Sequence, residues 1–190
     1  MSLLGELRFF LGLQISQHEN GIFISQSKYI KEMLKRFQME DCKLVSTPMI
    51  TSCRLSKDDE SPEVNQKLYS SMIGSLLYVT ASRPDIMHAV GLVGRHQVSP
   101  KENHLLAVKR IFRYLKGMTD FRLWYPKGNN LTLTTYIDAD WAGDIDDKKS
   151  TSGGAFFLGK SLVAWLSRKQ SSVSLSTAEA EYIAAGAYCR

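Results

Sequence analysis

The sequence predicts an α+β fold, in which a helical region is followed by a small antiparallel sheet that carries one packed helix. Three observations lead to this class: a hairpin signal near the N-terminus, helical periodicity before Gly117, and strand-like alternation after it. The 190 residues can form one large domain or two small ones. We place the division near residue 118, which gives predicted regions 1–117 and 118–190.

The N-terminal region opens with a predicted hairpin and a helix. In "LRFFLGLQISQHENGIFISQ" two extended segments flank "HENG", where Asn20 and Gly21 can supply the positive φ angles of a tight turn. In "SKYIKEMLKRF" apolar residues recur at helical spacing, and Ser27 is placed to cap the helix N-terminus. We therefore expect strand, turn, strand and helix in that order.

A predicted exposed linker separates this helix from the next ones. Residues 41–65 carry two prolines, scattered serines and threonines and the acidic run "KDDE", a composition typical of exposed and disordered segments. From Gln66 to Gly117 we expect two or three helices. We place a break at "RPD" (residues 83–85), because the residue before a proline is pushed out of the helical region.

The last predicted helix of this region, "HLLAVKRIFRYLKG", has two distinct faces. Its apolar residues form one stripe, and three cations share another face: Lys109, Arg113 and Lys116. Such a face can lie along a phosphate backbone, and it can equally be a solvated surface with favourable charges near a helix C-terminus. The sequence by itself favours the solvated surface.

The C-terminal region reads as strands that close on a helix from about Ser176. The strand candidates are "FRLWY", "LTLTTYIDAD", "GGAFFLG" and "SLVAWLSRKQ", and the last three suggest a three-stranded antiparallel meander. Alternation along "LTLTTYIDAD" places Asp138 and Asp140 on one face, roughly 7 Å apart. Two carboxylates so close need solvent, cations or a metal ion.

Three further aspartates follow in "GDIDDKK": Asp144, Asp146 and Asp147. The segment lacks the central glycine and final glutamate of an EF-hand calcium loop. We interpret it as a solvated loop that is neutralised by its own lysines.

The closing helix, "STAEAEYIAAGAY", offers two glutamates with different predicted tasks. Ser176 and Glu179 have the spacing of a capping box, which gives Glu179 a structural role. Glu181 has no such role and can meet Asp138 if the helix packs on the meander. Acidic residues that converge on Mg²⁺ from different elements are what metal-assisted phosphodiester hydrolysis requires.

Composition limits the class of protein. A formal net charge of +5 is compatible with an anionic partner such as nucleic acid, although many proteins without such a partner carry a similar excess. Three scattered cysteines suggest neither a disulfide framework nor a zinc site. The start lacks the features of a signal peptide, and no apolar run approaches a membrane span. We therefore expect an intracellular protein that is not secreted and does not bind membranes.

Two long segments, "YIDADWAGDIDDKKSTSGGAFFLG" and "VAWLSRKQSSVSLSTAEAEYIAA", closely resemble the ribonuclease H region of Pol polyproteins from copia-type LTR retrotransposons. Upstream, "ISQSKYIKEMLKRFQMEDCKLVSTPM", "YSSMIGSLLYVTASRPDIMHAV" and "AVKRIFRYLKG" resemble the end of the reverse transcriptase palm, its thumb and the connecting segment. The resemblance covers nearly the whole chain.

The resemblance implies roles for particular residues. Asp138 corresponds to the first of four metal-binding carboxylates of a ribonuclease H site, and Glu181 corresponds to the second, with Mg²⁺ or Mn²⁺ as the cofactor. An RNA/DNA hybrid would be the partner, and the remainder of the Pol polyprotein a possible second one. The hybrid would be held through contacts to its phosphates by four cations of the C-terminal region: Lys148, Lys149, Arg168 and Lys169.

Departures from the family pattern shape the expected activity. The sequence contains no "Y-V-D-D" polymerase motif, and the family's third and fourth carboxylates would follow Arg190. We therefore expect a Pol fragment that lacks polymerase activity and largely lacks hydrolysis. Two alternatives stay open: a non-catalytic nucleic-acid-binding module, and a ribonuclease H whose missing carboxylates come from another chain.

Overall fold

The computed structural model describes residues 7–51, 53–128 and 130–188. These residues form an α+β fold with five α-helices and two antiparallel sheets, which confirms the predicted class. In chain order the elements are β1 (Phe9–Phe10), β2 (Leu13–His18), β3 (Gly21–Ser25), α1 (Ser27–Arg36), α2 (Gln66–Val79), α3 (Met87–Val93), α4 (Glu102–Gly117), β4 (Leu123–Pro126), β5 (Leu133–Asp140), β6 (Thr151–Leu158), β7 (Ser161–Lys169) and α5 (Thr177–Tyr188).

Some sequence-based expectations fall on residues that are not described. The first six residues, which begin the segment judged not to be a signal peptide, lie outside the described ranges, as do Cys189 and Arg190. Cys42 and Cys53 are free thiols, as expected. Among the described residues, no helix combines the length and the apolar character that crossing a bilayer demands.

The first sheet has the strand order β1-β2-β3-β4, and its central hairpin is the predicted one. Gly21 takes a φ of +154°, and a Cβ there would clash with the Tyr125 carbonyl oxygen and the Trp124 ring. Asn20 does not share the positive φ, so the turn needs only the glycine.

Strand β4 is the element whose partner the sequence did not indicate. It lies just after residue 118 in the chain, yet it pairs with β3, with Ile22 opposite Tyr125 and Phe23 opposite Trp124. A division near residue 118 therefore passes between two strands of one sheet. The two-region division itself stays a prediction.

The core lies among α1, α2, α3 and α4 and is built from large apolar side chains. Phe112 is fully buried, and its ring meets the ring of Phe37 edge-on at 5.4 Å. The predicted helix α1 forms, but the prediction that Ser27 caps it is wrong. Gln26 is the N-cap residue, and the buried Ser27 hydroxyl has no hydrogen-bond partner among the described residues.

The predicted break between helices is built around a buried charge. Arg83 is 1% exposed, and its guanidinium donates to the Asp85 carboxylate and to the Met118 carbonyl oxygen. Tyr114 donates its hydroxyl proton to the same Asp85 carboxylate. These bonds compensate for the removal of the Arg83 guanidinium from water. Without them, burying this charge would greatly destabilise the fold.

Residues 41–65 contain no helix or strand at their described positions. They are nevertheless held along α4 by hydrogen bonds. Arg113 and Lys116 donate to the carbonyl oxygens of Lys43 and Cys42 at 2.6 and 2.8 Å. Near the other end, the Glu102 amide donates to the Pro62 carbonyl oxygen. These contacts order the segment against α4, although its described residues are all exposed or half-exposed.

The second sheet has the strand order β5-β6-β7, with α5 packed on β5 and β6. The other face meets the helical region, where His88 of α3 lies 3.2 Å from the Ser167 hydroxyl. On the same face, the Trp165 indole donates to the Thr80 carbonyl oxygen at 2.9 Å. The sheet therefore has α5 on one face and the helical region on the other.

Candidate metal and nucleic-acid site

Strand β5 presents Asp138 and Asp140 on one face, as the alternation in the sequence predicts. Ile137 and Ala139 are half-buried, whereas both aspartates are exposed. Asp138 lies opposite Gly153, which in turn lies opposite Ser167. Because directly opposed residues share a face of a sheet, Asp138 lies on the face toward α3.

Helix α5 begins with the predicted capping contacts. The Glu179 amide donates to the Ser176 hydroxyl oxygen at 3.2 Å, and the Glu179 carboxylate accepts from the Leu175 amide at 2.6 Å. The predicted structural role of Glu179 is therefore confirmed, although its carboxylate reaches back one residue further than in a standard capping box.

Glu181 reaches β5 beside Asp138. Its carboxylate oxygen Oε1 accepts from the Ala139 amide at 3.2 Å, so α5 brings this side chain to the backbone of the residue that follows Asp138. Both carboxylates are exposed to solvent. Glu181 therefore reaches the backbone next to Asp138 from the face on which α5 packs, whereas the Asp138 side chain lies on the face toward α3.

The donor set at this place is small. Among the described residues, no group of three or more histidine, cysteine, aspartate or glutamate side chains is arranged to hold a metal ion. Asp138 and Glu181 offer the oxygen ligands that Mg²⁺ prefers, and one or two carboxylates completed by waters and substrate phosphates is a usual Mg²⁺ environment. Because Asp138 and Glu181 lie on opposite faces of the sheet, they offer at most a partial set of ligands for such an ion.

Asp144 is a structural hub and not part of a solvated loop. Its carboxylate accepts from Lys169 at 2.6 Å and from Arg95 at 3.1 Å, and the Asp146 and Asp147 amides donate to its other oxygen. Partial burial opposes ionisation of Asp144, but the bonds from Lys169 and the amides outweigh it and hold the pKa of this carboxyl well below its usual range. Asp144 therefore joins the helical region to the sheet.

Asp146 and Asp147 also have defined partners. Asp146 accepts from the Ser56 hydroxyl at 2.7 Å and from the Lys57 amide, which ties the β5–β6 loop to residues 56–57. Asp147 pairs with Lys169 at 2.8 Å and with Lys149 at 3.6 Å. The prediction that the loop is neutralised by its own lysines is thus correct for Lys149, but the main counter-charges come from Arg95 and Lys169.

The basic face predicted on α4 is largely engaged within the protein. Arg113 and Lys116 hold the backbone of residues 42–43, as described above, and both are only half-exposed. Lys109 is exposed, and no ion pair involving it occurs within the described residues. Of the three predicted phosphate contacts on α4, Lys109 is the one that faces solvent without a structural task.

The four cations predicted in the C-terminal region also divide into two engaged within the protein and two exposed to solvent. Lys149 and Lys169 pair with loop aspartates, whereas Lys148 and Arg168 are exposed and form no salt bridge within the described residues. Arg168 lies on the wall of a cleft of about 360 Å³ between the end of β7 and α5, which Ser152 and Tyr188 also line.

A second basic groove was missed by sequence reasoning. It has a volume of about 630 Å³ and lies against the N-terminal sheet and α1, with Arg8, Lys31 and Arg122 on its walls beside Phe9 and Phe23. Arg122 comes from the segment just before β4, so the pairing of β4 with β3 brings this cation to the groove. The local sequence carries no signal for that pairing.

Comparisons with known proteins show where this chain belongs. It is 42% identical over 177 residues to the retrovirus-related Pol polyprotein from transposon RE1 of Arabidopsis thaliana, a match that covers 93% of this chain and 12% of the relative. It is also 42% identical, over 194 residues, to the corresponding polyprotein from transposon TNT 1-94 of Nicotiana tabacum, covering 97% of this chain and 14% of that relative. The chain belongs to the copia-type retrotransposon Pol family.

Two further comparisons concern the N-terminal residues and nearly the whole chain. A family model described as reverse transcriptase (RNA-dependent DNA polymerase) matches residues 1–51. An uncharacterized mitochondrial protein of Arabidopsis thaliana is 36% identical over 183 residues, which covers 96% of this chain and 75% of that protein. The chain spans only about an eighth of the Pol polyproteins it matches. No solved structure matches it significantly.

Membership of this family has a general consequence. The reverse transcriptase family implies nucleic-acid binding and a Pol polyprotein context. The exposed cations Lys109, Lys148 and Arg168 are candidates for that binding.

Proposed function

We propose that this chain is the part of a copia-type Pol polyprotein that joins the end of the reverse transcriptase to a ribonuclease H-like domain, and that it holds an RNA/DNA hybrid with little cleavage of its own. The observation that supports the proposal is the bond from the Ala139 amide to Glu181 of α5, directly beside Asp138 of β5, in a chain with a net charge of +5. We infer an intracellular protein that acts on nucleic acid and not on membranes.

The ribonuclease H-like part of the proposal rests on β5, β6, β7 and α5. An acidic residue on the first strand of a three-stranded antiparallel meander and a glutamate on the helix that packs on it are what the resemblance implies. Asp138 lies on β5 and Glu181 on α5, which supports assigning them to these two places. This arrangement supports the view that the region β5, β6, β7 and α5 derives from a hydrolytic ribonuclease H domain.

Asp138 and Glu181 would hold Mg²⁺ or Mn²⁺ at this stretch of β5. The chemistry that such an ion supplies when bound is activation of a water and neutralisation of charge on the leaving oxygen. With two carboxylates from this chain, the remaining coordination positions fall to water and to phosphates of the hybrid. An ion held so loosely supports little hydrolysis, because a productive site needs tightly positioned ligands.

Phosphate contacts supply the binding. Lys109, Lys148 and Arg168 are the exposed members of the predicted set, and contacts of this kind position a duplex without reading its sequence. Arg113, Lys116, Lys149 and Lys169 serve first to hold the fold, so we assign them a weaker part in binding. The sequence contains no "Y-V-D-D" motif, and we assign no polymerase activity to this segment.

A second candidate function is a ribonuclease H that is completed by carboxylates from another chain. The observation that favours it is the solvent exposure of both Asp138 and Glu181, which leaves room for additional ligands. The remainder of a Pol polyprotein is the natural source of such ligands.

The deciding experiment combines binding and cleavage. A labelled RNA/DNA hybrid is mixed with the purified chain while Mg²⁺ or Mn²⁺ is titrated, and Asp138→Asn and Glu181→Gln are tested beside Glu179→Gln as a matched control. We expect salt-sensitive binding that all three variants retain, with at most slow cleavage. Rapid metal-dependent cleavage that Asp138→Asn and Glu181→Gln abolish and Glu179→Gln keeps would favour the complete hydrolase. Absence of binding would overturn the proposal.

A further inference from the structure

Two buried histidines lie stacked where the helical region meets the β5–β6 loop. His96 ends the short 3₁₀ turn Gly94–His96 after α3, and His104 lies in the first turn of α4. Their ring centroids are 4.0 Å apart and the rings are inclined by 23°. His96 is 6% exposed and His104 is 0% exposed. Two imidazoles in such close contact cannot both carry a positive charge without strong repulsion.

The hydrogen bonds of His104 assign it a single tautomer. Its Nδ1 accepts from the Lys101 amide at 3.0 Å, as part of the cap of α4, and its Nε2 donates to the Ser56 carbonyl oxygen at 2.8 Å. An amide can only donate and a carbonyl oxygen can only accept, so Nε2 carries the proton and Nδ1 does not. A second proton on this ring would remove the acceptor of the Lys101 amide.

Ser56 continues this contact toward the sheet. Its hydroxyl donates to Asp146 at 2.7 Å, and the next amide, that of Lys57, donates to both oxygens of the same carboxylate. A continuous line of hydrogen bonds therefore runs from the first turn of α4, through residues 56–57, to the β5–β6 loop. We call this line, together with His96, the histidine latch: His96, His104, Ser56 and Asp146.

Within the latch, His96 has the fewest hydrogen bonds to offset the burial of its polar ring atoms. Its Nδ1 is buried and has no hydrogen-bond partner among the described residues. The charged and titratable groups that face it are His104, Arg95, Asp144 and Asp146. Burial, and after it the proximity of the His104 ring, lowers the pKa of His96 to about 4; Arg95 adds to this shift, and the two aspartates only partly oppose it.

We propose that the histidine latch is an acid-sensitive device, which holds the β5–β6 loop on the helical region at neutral pH and releases it when His96 takes up a proton. Release would free the loop that carries Asp144, Asp146 and Asp147 and would loosen the sheet on which Asp138 lies. The proposal concerns the fold and stands independently of the proposed function.

The direction of the pH effect follows from proton linkage. The pKa of His96 lies below the ordinary histidine value when the latch is closed, so the closed state binds fewer protons than the open state. Closure is thus fully favoured above about pH 6.5, the ordinary histidine pKa, and weakens as the pH falls from there toward the closed-state pKa of about 4. Between about pH 7.5 and about pH 5, opening should increase roughly tenfold to thirtyfold.

Hydrogen exchange of the full chain measures this opening. Protection factors, corrected for the intrinsic pH dependence of exchange, are compared at about pH 7.5 and about pH 5 for the amides of residues 53–57 and 141–149. We expect them to fall by roughly tenfold to thirtyfold in the wild type, and to change little in His96→Phe, which keeps a stacked ring that cannot titrate. His18→Gln, at an exposed histidine, should behave as the wild type.

A second measurement covers the case in which His96→Phe does not fold. The imidazole resonances of His96 in the wild type are titrated by NMR, and we expect a midpoint near 4, as burial beside His104 requires. A midpoint at or above about 6.5 would overturn the proposal, because the latch would then have no reason to resist protonation. Equal protection of both loops at the two pH values would overturn it as well.

Discussion

The helical region and the sheet β5-β6-β7 are held by different forces. Side chains such as Phe112 and Leu115 are fully buried in the helical core. In the sheet, Leu133 and Tyr136 are each 65% exposed, and its attachment to the helical region runs through polar groups such as Asp144 and Asp146. Apolar burial therefore stabilises the first region, whereas directional and charged contacts position the second.

The largest expected effect on stability comes from a substitution in the apolar helical core. Replacing Phe112 with alanine removes a fully buried ring and leaves a cavity beside Phe37, so the free energy of unfolding should fall by about 3–5 kcal/mol. Urea denaturation followed by circular dichroism measures the loss. Tyr136→Ala, which truncates an exposed aromatic residue of the sheet, should change stability by less than about 1 kcal/mol. Equal losses in the two variants would show that the regions do not differ in this way.

A smaller effect is expected at the charged hub. Asp144→Asn keeps the shape of the side chain but removes the charge that Lys169 and Arg95 contact, which should cost about 1–3 kcal/mol. Asp120→Asn, at an exposed aspartate, is the matched control. Thermal unfolding of both variants measures the difference, and a change no larger than that of the control would contradict the assigned role.

The pH dependence of the Asp144 contribution separates it from the histidine latch. Because the pKa of Asp144 is lower in the folded protein than in the unfolded chain, its contribution is complete above the ordinary aspartate range and is lost only as the pH falls below it. Between about pH 7 and about pH 5 the stability deficit of Asp144→Asn should therefore stay constant.

The smallest effect compares the two glutamates of α5. Glu179→Gln weakens the cap of the helix and should cost about 0.5–1 kcal/mol. Glu181→Gln keeps an oxygen that can accept from the Ala139 amide, so its effect on unfolding should be within about 0.5 kcal/mol, whereas its effect on metal binding should be the larger of the two. Unfolding midpoints measured with and without Mg²⁺ test both statements. An Mg²⁺-dependent stabilisation that Glu181→Gln retains would show that this residue is no ligand.

Local patterns in the sequence were sufficient to predict the features that depend on residues close together in the chain. The hairpin at Gly21, the capping role of Glu179 and the shared face of Asp138 and Asp140 all follow from spacings of a few residues. Even there, the cap of α1 was misplaced, because the Gln26 side chain bonds instead to the Tyr78 carbonyl oxygen and the Ser82 hydroxyl, which are distant in the chain.

The features that sequence reasoning missed all join distant parts of the chain. The pairing of β4 with β3 and the contact of Arg95 with Asp144 have no local signal. Periodicity correctly placed Arg113 and Lys116 on one face of α4, but it could not show that residues 41–65 would cover that face. The candidate phosphate contacts are therefore fewer than the sequence suggested, and they are the ones without a partner in the fold.

The central claim is that exposed cations hold the phosphates of an RNA/DNA hybrid, and its most direct test is the salt dependence of binding. The affinity for a labelled hybrid is measured by anisotropy over a series of salt concentrations, for the wild type and for a variant with Lys109, Lys148 and Arg168 all changed to alanine. We expect the slope of log affinity against log salt to become less steep by roughly 2 to 3. A control variant loses the same charge at three other exposed lysines: Lys35, Lys43 and Lys67. If the control lowers the slope as much as the test variant, or if neither changes it, the claim is contradicted.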